Sequence, residues 1–111
     1  MPANSPVELD RALRAVADSN RRAILAVIRG GPRSVGEIAE ELGLSQQVTS
    51  HHLGVLRTAR LADATRIGRQ HLFSAQTDGL QVVQTFLNDF WPTKLSALKA
   101  AVEGRKAGRD G

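Results

Sequence analysis

Residues 43–56 read GLSQQVTSHHLGVL. Gly43 supplies a turn and Ser45 has the side chain of a helix N-cap, so the segment predicts a helix from Gln46 to about Thr58. Successive helical residues lie about 100° apart. On that spacing Val48, Thr49, His52, Leu53 and Leu56 form one inward stripe. Gln46, Gln47, Ser50, His51 and Gly54 are left facing outward. The adjacent histidines invite a metal reading, but neighbouring helical residues diverge and do not face each other. Helical metal pairs use wider spacing, such as i and i+4. His52 is therefore expected to be a satisfied structural residue, with a backbone carbonyl as one candidate partner. His51 is expected to face solvent or a ligand.

Working upstream, Ser34 can cap a helix whose Glu37 reaches back three residues later, a capping box. Ile38, Ala39 and Leu42 give that short helix its apolar face. A helix of about two turns, a tight Gly turn and a second helix is the layout of a helix-turn-helix. Earlier still, PVELDRALRAVA places Leu9, Leu13 and Val16 at helical spacing. Asp18, Ser19 and Asn20 follow as capping residues. NRRAILAVIRGG then predicts a second helix that buries Ile24, Leu25 and Ile28 and stops at Gly30, Gly31 and Pro32.

Downstream, LADATRI and QHLFSA are strand-like and separated by Gly68-Arg69, which predicts a small hairpin. Thr77 or Asp78 is expected to cap a long last helix. Its apolar residues include Leu80, Val83, Leu87, Phe90, Trp91, Leu95, Leu98 and Val102. Pro92 predicts a kink or break there, because proline lacks an amide donor and disfavours a helical predecessor. The fold class expected is mostly α with a small β-hairpin wing, a winged helix-turn-helix. Residues 1–6 read as a flexible arm, 7–103 as one DNA-binding and dimerisation domain, and 104–111 as a disordered tail.

Composition narrows the function classes. The 111 residues fit one small domain. There is no cysteine, which removes disulfides and zinc–thiolate sites. No apolar run approaches a membrane span and no signal-peptide pattern opens the chain, so a soluble, cytoplasmic protein is expected. Net charge is +4, and the basic residues are 12 arginines and three lysines. The distribution is informative. Residues 43–62 carry no acid, and residues 45–74 hold four arginines against Asp63 alone. The acids gather instead at Glu37, Glu40 and Glu41. A basic face of this kind suits a polyanion partner.

Four blocks now stand in order: VADSNRRAILAVI, SVGEIAEELGLSQQVTSHHLGVLR, the hairpin with its Gly-Arg turn, and DFWPTKLSALK. Together they resemble the ArsR (arsenic-repressor) family of bacterial transcription regulators, over about residues 13–102. The Leu-Ser-Gln…Ser-His-His-Leu…Val-Leu-Arg run is the most specific part. The resemblance implies a winged helix-turn-helix homodimer that represses transcription from inverted-repeat operators, with its first and last helices forming the interface. One family metal site uses Cys-x-Cys near the third helix, where this chain has Ser34 and Gly36. Another uses acidic and histidine ligands along the last helix, and residues 78–103 contain no histidine. The resemblance therefore implies a subgroup without the family's metal sites, and no cofactor. The family often has glycine after the recognition helix, where this chain has Arg60. Either Arg60 carries strain in a left-handed cap or the turn differs.

The expected DNA-binding residues are Ser34, Gln46, Gln47, Ser50, His51, Arg57, Arg66 and Arg69. Glutamine can bond both the donor and the acceptor of adenine in the major groove, and serine and histidine can meet base edges or phosphates. Arg66 and Arg69 flank the hairpin tip, within reach of the minor groove or its phosphates. Ser34 and nearby amides can hold a phosphate, assisted by Arg33. Arg21 and Arg22 fit either phosphate contacts or surface ion pairs. The expected dimer interface is Leu9, Leu13, Val16, Leu80, Val83, Leu87, Phe90, Trp91, Leu95 and Leu98. The expected partners are double-stranded DNA and a second copy, with no membrane and an effector unknown. Two other readings stay open: a winged-helix protein-interaction module, and a metal-responsive repressor using a site unlike the family's. No nucleophile elbow, phosphate loop or HExxH motif is present, so an enzyme is not expected.

Overall fold

In the computed structural model, residues 6–90 and 99–104 are described. The element order is α1 (Pro6–Ala17), α2 (Ser19–Arg29), α3 (Val35–Leu42), α4 (Gln46–Thr58), β1 (Ala62–Ile67), β2 (Gln70–Ala75) and α5 (Asp78–Phe90). Residues 99–104 are again helical. Pro6, assigned to the arm from sequence, opens α1, because its fixed φ suits the first helical position. The expectations for Trp91, Pro92, Leu95 and Leu98 lie outside the described residues.

The core forms where α2, α3, α4 and the base of the hairpin meet. Ile24, Ile28, Ile38, Leu53, Leu56 and Leu61 are at most 1% exposed. Each such side chain contributes about 1.5–3 kcal/mol. The hairpin is antiparallel, with Ile67 opposite Gln70 and Ala62 opposite Ala75. Gly68 takes φ +63° at the first of the two turn positions, which an L side chain resists. Arg33, in the turn before α3, exchanges both backbone hydrogen bonds with Phe73 of β2, at 3.0 and 2.7 Å. That pairing fastens the wing to the start of the helix-turn-helix.

Helix ends are tied by side chains the sequence did not assign to them. The Asp18 carboxylate accepts from the amides of Asn20 (2.8 Å) and Arg21 (3.1 Å) and so caps α2. The Arg21 amide, followed by the charge of its guanidinium, holds the Asp18 carboxyl below the usual carboxylate range. Arg21 and Arg22 are neither free for phosphate nor ion-paired to a carboxylate at the surface. Arg21 Nε and Nη2 donate to the carbonyls of Ala15 (2.8 Å) and Arg14 (3.0 Å), and Arg22 Nη1 donates to Val16 (2.8 Å). Those carbonyls belong to the last turn of α1 and have no partner within the helix. At the start of α5 the cap comes from Gln76, not from Thr77 or Asp78. The Gln76 side-chain oxygen accepts from the Asp78 amide at 3.1 Å.

The turn after α4 answers the question posed by Arg60. Its φ is +61°, the one positive value at a non-glycine among the described residues. The Leu61 amide donates to Leu56 (2.8 Å) and the Arg60 amide to Arg57 (3.0 Å), a Schellman end with arginine in the glycine position. Left-handed backbone costs a non-glycine residue about 1–2 kcal/mol. Glycine's greater freedom in the unfolded chain returns about 0.5–1 kcal/mol of that. The 3.8 Å ion pair from Arg60 to Glu8 is largely exposed and contributes little. Arg60→Gly is therefore expected to raise stability by about 0.5 kcal/mol, read as a higher urea midpoint, while Arg60→Ala keeps the strain.

Candidate nucleic-acid interface

Two caps set the geometry of the helix-turn-helix. Ser34 Oγ accepts from the Glu37 amide at 3.2 Å, and Glu37 Oε1 accepts from the Ser34 amide at 2.9 Å. The Ser34 amide and then its hydroxyl hold the Glu37 carboxyl below its usual range. Gly43 then turns left-handed at φ +69°, and Leu44 donates back to Ala39 at 2.9 Å. Ser45 Oγ accepts from the Val48 amide at 3.0 Å and starts α4. The capping box engages both the amide and the oxygen of Ser34. Arg33, half-buried, donates to the Pro32 carbonyl at 3.3 Å.

On α4, Thr49, His52, Leu53 and Leu56 are buried, as the helical spacing requires. Val48 departs from the expected stripe and is 43% exposed. It lies about 90° from the centre of the buried face, at the helix edge beside Gln47. Gln46, Gln47, Ser50, His51, Gly54 and Arg57 are exposed. The Gln46 amide nitrogen leans over Gly36, 3.6 Å from where a side chain there would begin. On the wing, Arg66 and Arg69 are exposed, and Arg66 Nε donates to the Gly68 carbonyl at 3.4 Å. Arg66 faces His71 across the ladder. The outer face of α4 and the wing tip thus present polar and basic groups with no acid among them.

The two histidines separate. His51 is exposed, while His52 is 8% exposed on the core side. The partner of His52 is a side chain and not a backbone carbonyl. Arg21 Nη1 lies 3.3 Å from His52 Nδ1. Arginine is only a donor, so Nδ1 accepts and the ring proton sits on Nε2. Through Arg21, the recognition helix is tied to the end of α1. Among the described residues no three His, Cys, Asp or Glu side chains gather at a metal-like site.

The expected interface residues divide by exposure. Leu13 (38%), Leu80 (49%), Leu87 (38%) and Phe90 (67%) are exposed apolar groups. Leu9, Val16 and Val83 are half-buried. Phe86, absent from the expected set, meets Phe90 edge-on with ring centres 4.9 Å apart. α1 packs on α5 and also on α2 and α4, so the apolar helices and the reading helix share one framework.

A capped helix-turn-helix with an open second helix and a basic two-stranded wing defines a winged-helix DNA-binding regulator. A helix-turn-helix domain family model matches residues 16–64. The chain is 37% identical over 94 residues to the HTH-type transcriptional regulator Rv2034 of Mycobacterium tuberculosis, covering 85% of this chain and 88% of that one. It is 34% identical over 73 residues to the transcriptional repressor SdpR of Bacillus subtilis, covering 66% of this chain and 81% of that one. Among solved structures it is similar to the homodimeric winged helix-turn-helix DNA-binding domain of a possible ArsR-family regulator from Mycobacterium bovis. The TM-score there is 0.62 at 27% identity, over 73% of each chain. The chain belongs to the ArsR family of winged helix-turn-helix transcriptional regulators.

Proposed function

We propose that this DNA-binding regulator is a homodimeric repressor that reads an inverted-repeat operator with α4 and steadies it with the wing. The observation that carries this is the outer face of α4. Gln47, Ser50 and His51 stand open on a rigid, doubly capped helix with no acid between residues 43 and 62. Gln46 and Gln47 read base edges, Ser50 and His51 meet bases or phosphates, and Val48 can pack on a thymine methyl group. Arg57, Arg66 and Arg69 hold the backbone. At Ser34 the hydroxyl proton is the group left for a phosphate. The similar M. bovis domain is homodimeric and the similar B. subtilis protein is a repressor. The exposed leucines of α1 and α5, with Phe90, fit the first of these roles. Two copies would set two recognition helices about 34 Å apart, one turn of DNA. No helix among the described residues is long and apolar enough to cross a membrane.

Gel-shift titration on its own promoter region, at several salt concentrations, tests this reading. Tight, steeply salt-dependent binding is expected. Affinity equal to that for random DNA would overturn it. Two substitutions should then behave differently. Gln47→Ala is expected to lose about 1–3 kcal/mol of discrimination at the bases it meets, with weak effect on random sequence. Arg69→Ala should weaken binding to all sequences alike and lower the salt slope by about 1. Competition binding against a set of single-base operator variants separates the two.

A further inference from the structure

A groove of about 530 Å³ runs between α1 and α4. On the α4 side it is lined by Ser50, His51 and Gly54 of the outer face and by Val55 beside them. On the α1 side it is lined by Arg11 and Arg14. These two arginines are three residues apart, so they share a face of the helix. Both are exposed, and among the described residues neither guanidinium makes an ion pair. The one carboxylate nearby on α1 with a recorded ion pair is Glu8, which meets Arg60. No acid lines the groove.

Resting on the DNA-binding reading of α4, we infer that Arg11 and Arg14 form a second phosphate-binding shelf, so that α1 belongs to the DNA interface. A helix seated in the major groove is bordered on both sides by phosphodiester strands, because helix and groove are of nearly equal width. Whatever protein flanks the helix therefore meets a strand. One flank of α4 is bordered by α1, and there the chain offers two unpaired guanidinium groups, which bind phosphate in bidentate fashion. Gly54 sits between them and the reading edge. A side chain there would meet nothing within 4 Å, so its absence leaves an open channel beside the helix. The apolar walls of the groove, Val55 and Ala59, lower the local dielectric and strengthen the charge interaction.

The test is the salt dependence of operator binding by the full chain, compared with the Arg11→Ala/Arg14→Ala double variant. Each phosphate neutralised contributes about 0.9 to the slope of log affinity against log salt. The double variant should lose about 1 to 2 from that slope and bind specific and random duplexes proportionally more weakly. The Arg11→Lys/Arg14→Lys variant should regain most of the slope, because the charge remains. Thermal unfolding should match the unchanged chain, since both side chains are exposed. A double alanine variant with an undiminished slope overturns the shelf. So does a lysine pair that behaves like the alanine pair. If the unchanged chain itself shows flat salt dependence and no operator preference, the reading of α4 has failed instead, and the two failures are distinguishable.

Discussion

Gly79→Ala is expected to destabilise the protein by about 2–3 kcal/mol, the range of a core position forced to accept an extra methyl group. A Cβ at residue 79 would stand 2.3 Å from the Ala59 carbonyl oxygen, and 2.9 and 3.0 Å from two Leu61 side-chain carbons. The oxygen belongs to the backbone and cannot rotate away. Gly79 also donates its amide to the Arg60 carbonyl at 2.8 Å, so the clash falls where α5 is fastened to the end of α4. The substitution should lower the urea midpoint and weaken DNA binding together. Gly54→Ala is the matched control. It lies inside α4 with open space around it, and alanine there should gain up to about 1 kcal/mol of helix stability. Equal effects of opposite sign from two glycine-to-alanine changes would show that packing, and not glycine content, sets the result. Equal midpoints for the two variants would contradict the tight junction at Gly79.

Leu87→Glu is expected to give a folded monomer whose affinity for the full operator falls roughly 10²–10⁴-fold, the factor lost when two linked sites become independent. Leu87 is 38% exposed on α5, in line with the exposed Leu80 and Phe90. A carboxylate there leaves the core intact but makes a self-facing interface carry two like charges without water. Sedimentation reads the oligomeric state, and gel shift on full and half operators reads the linkage. Half-operator affinity should be unchanged. A variant that remains a dimer would remove this part of α5 from the interface.

Much of the architecture was legible in local chemistry. Ser34, Glu37, Gly43 and Ser45 mark both ends of the helix-turn-helix, because caps and left-handed turns depend on a few neighbouring residues. The same holds for the hairpin around Gly68. The outward set on α4 followed from helical spacing, and Val48 was misplaced because a stripe edge is decided by which neighbour lies over it. Arg60 could be identified as a strained position, but not resolved, since its conformation depends on α5 accepting its carbonyl.

What stayed hidden involves contacts between distant residues. Nothing local says that Arg21 leaves solvent to serve the carbonyls of α1 and the ring of His52. Nor does it say that Arg33 pairs with Phe73, or that Gly79 lies against Ala59 and Leu61. Arg11 and Arg14 look like ordinary surface charge until α1 is laid beside α4. The sequence by itself determined the order, ends and faces of the helices and the place of the wing. Periodicity and capping act within one or two turns, and so they can be read along the chain. Only the tertiary structure decided which arginines are engaged, which glycine is indispensable and which helix flanks the reading edge. Those outcomes depend on how elements far apart in sequence fill the same space and satisfy each other's backbone groups.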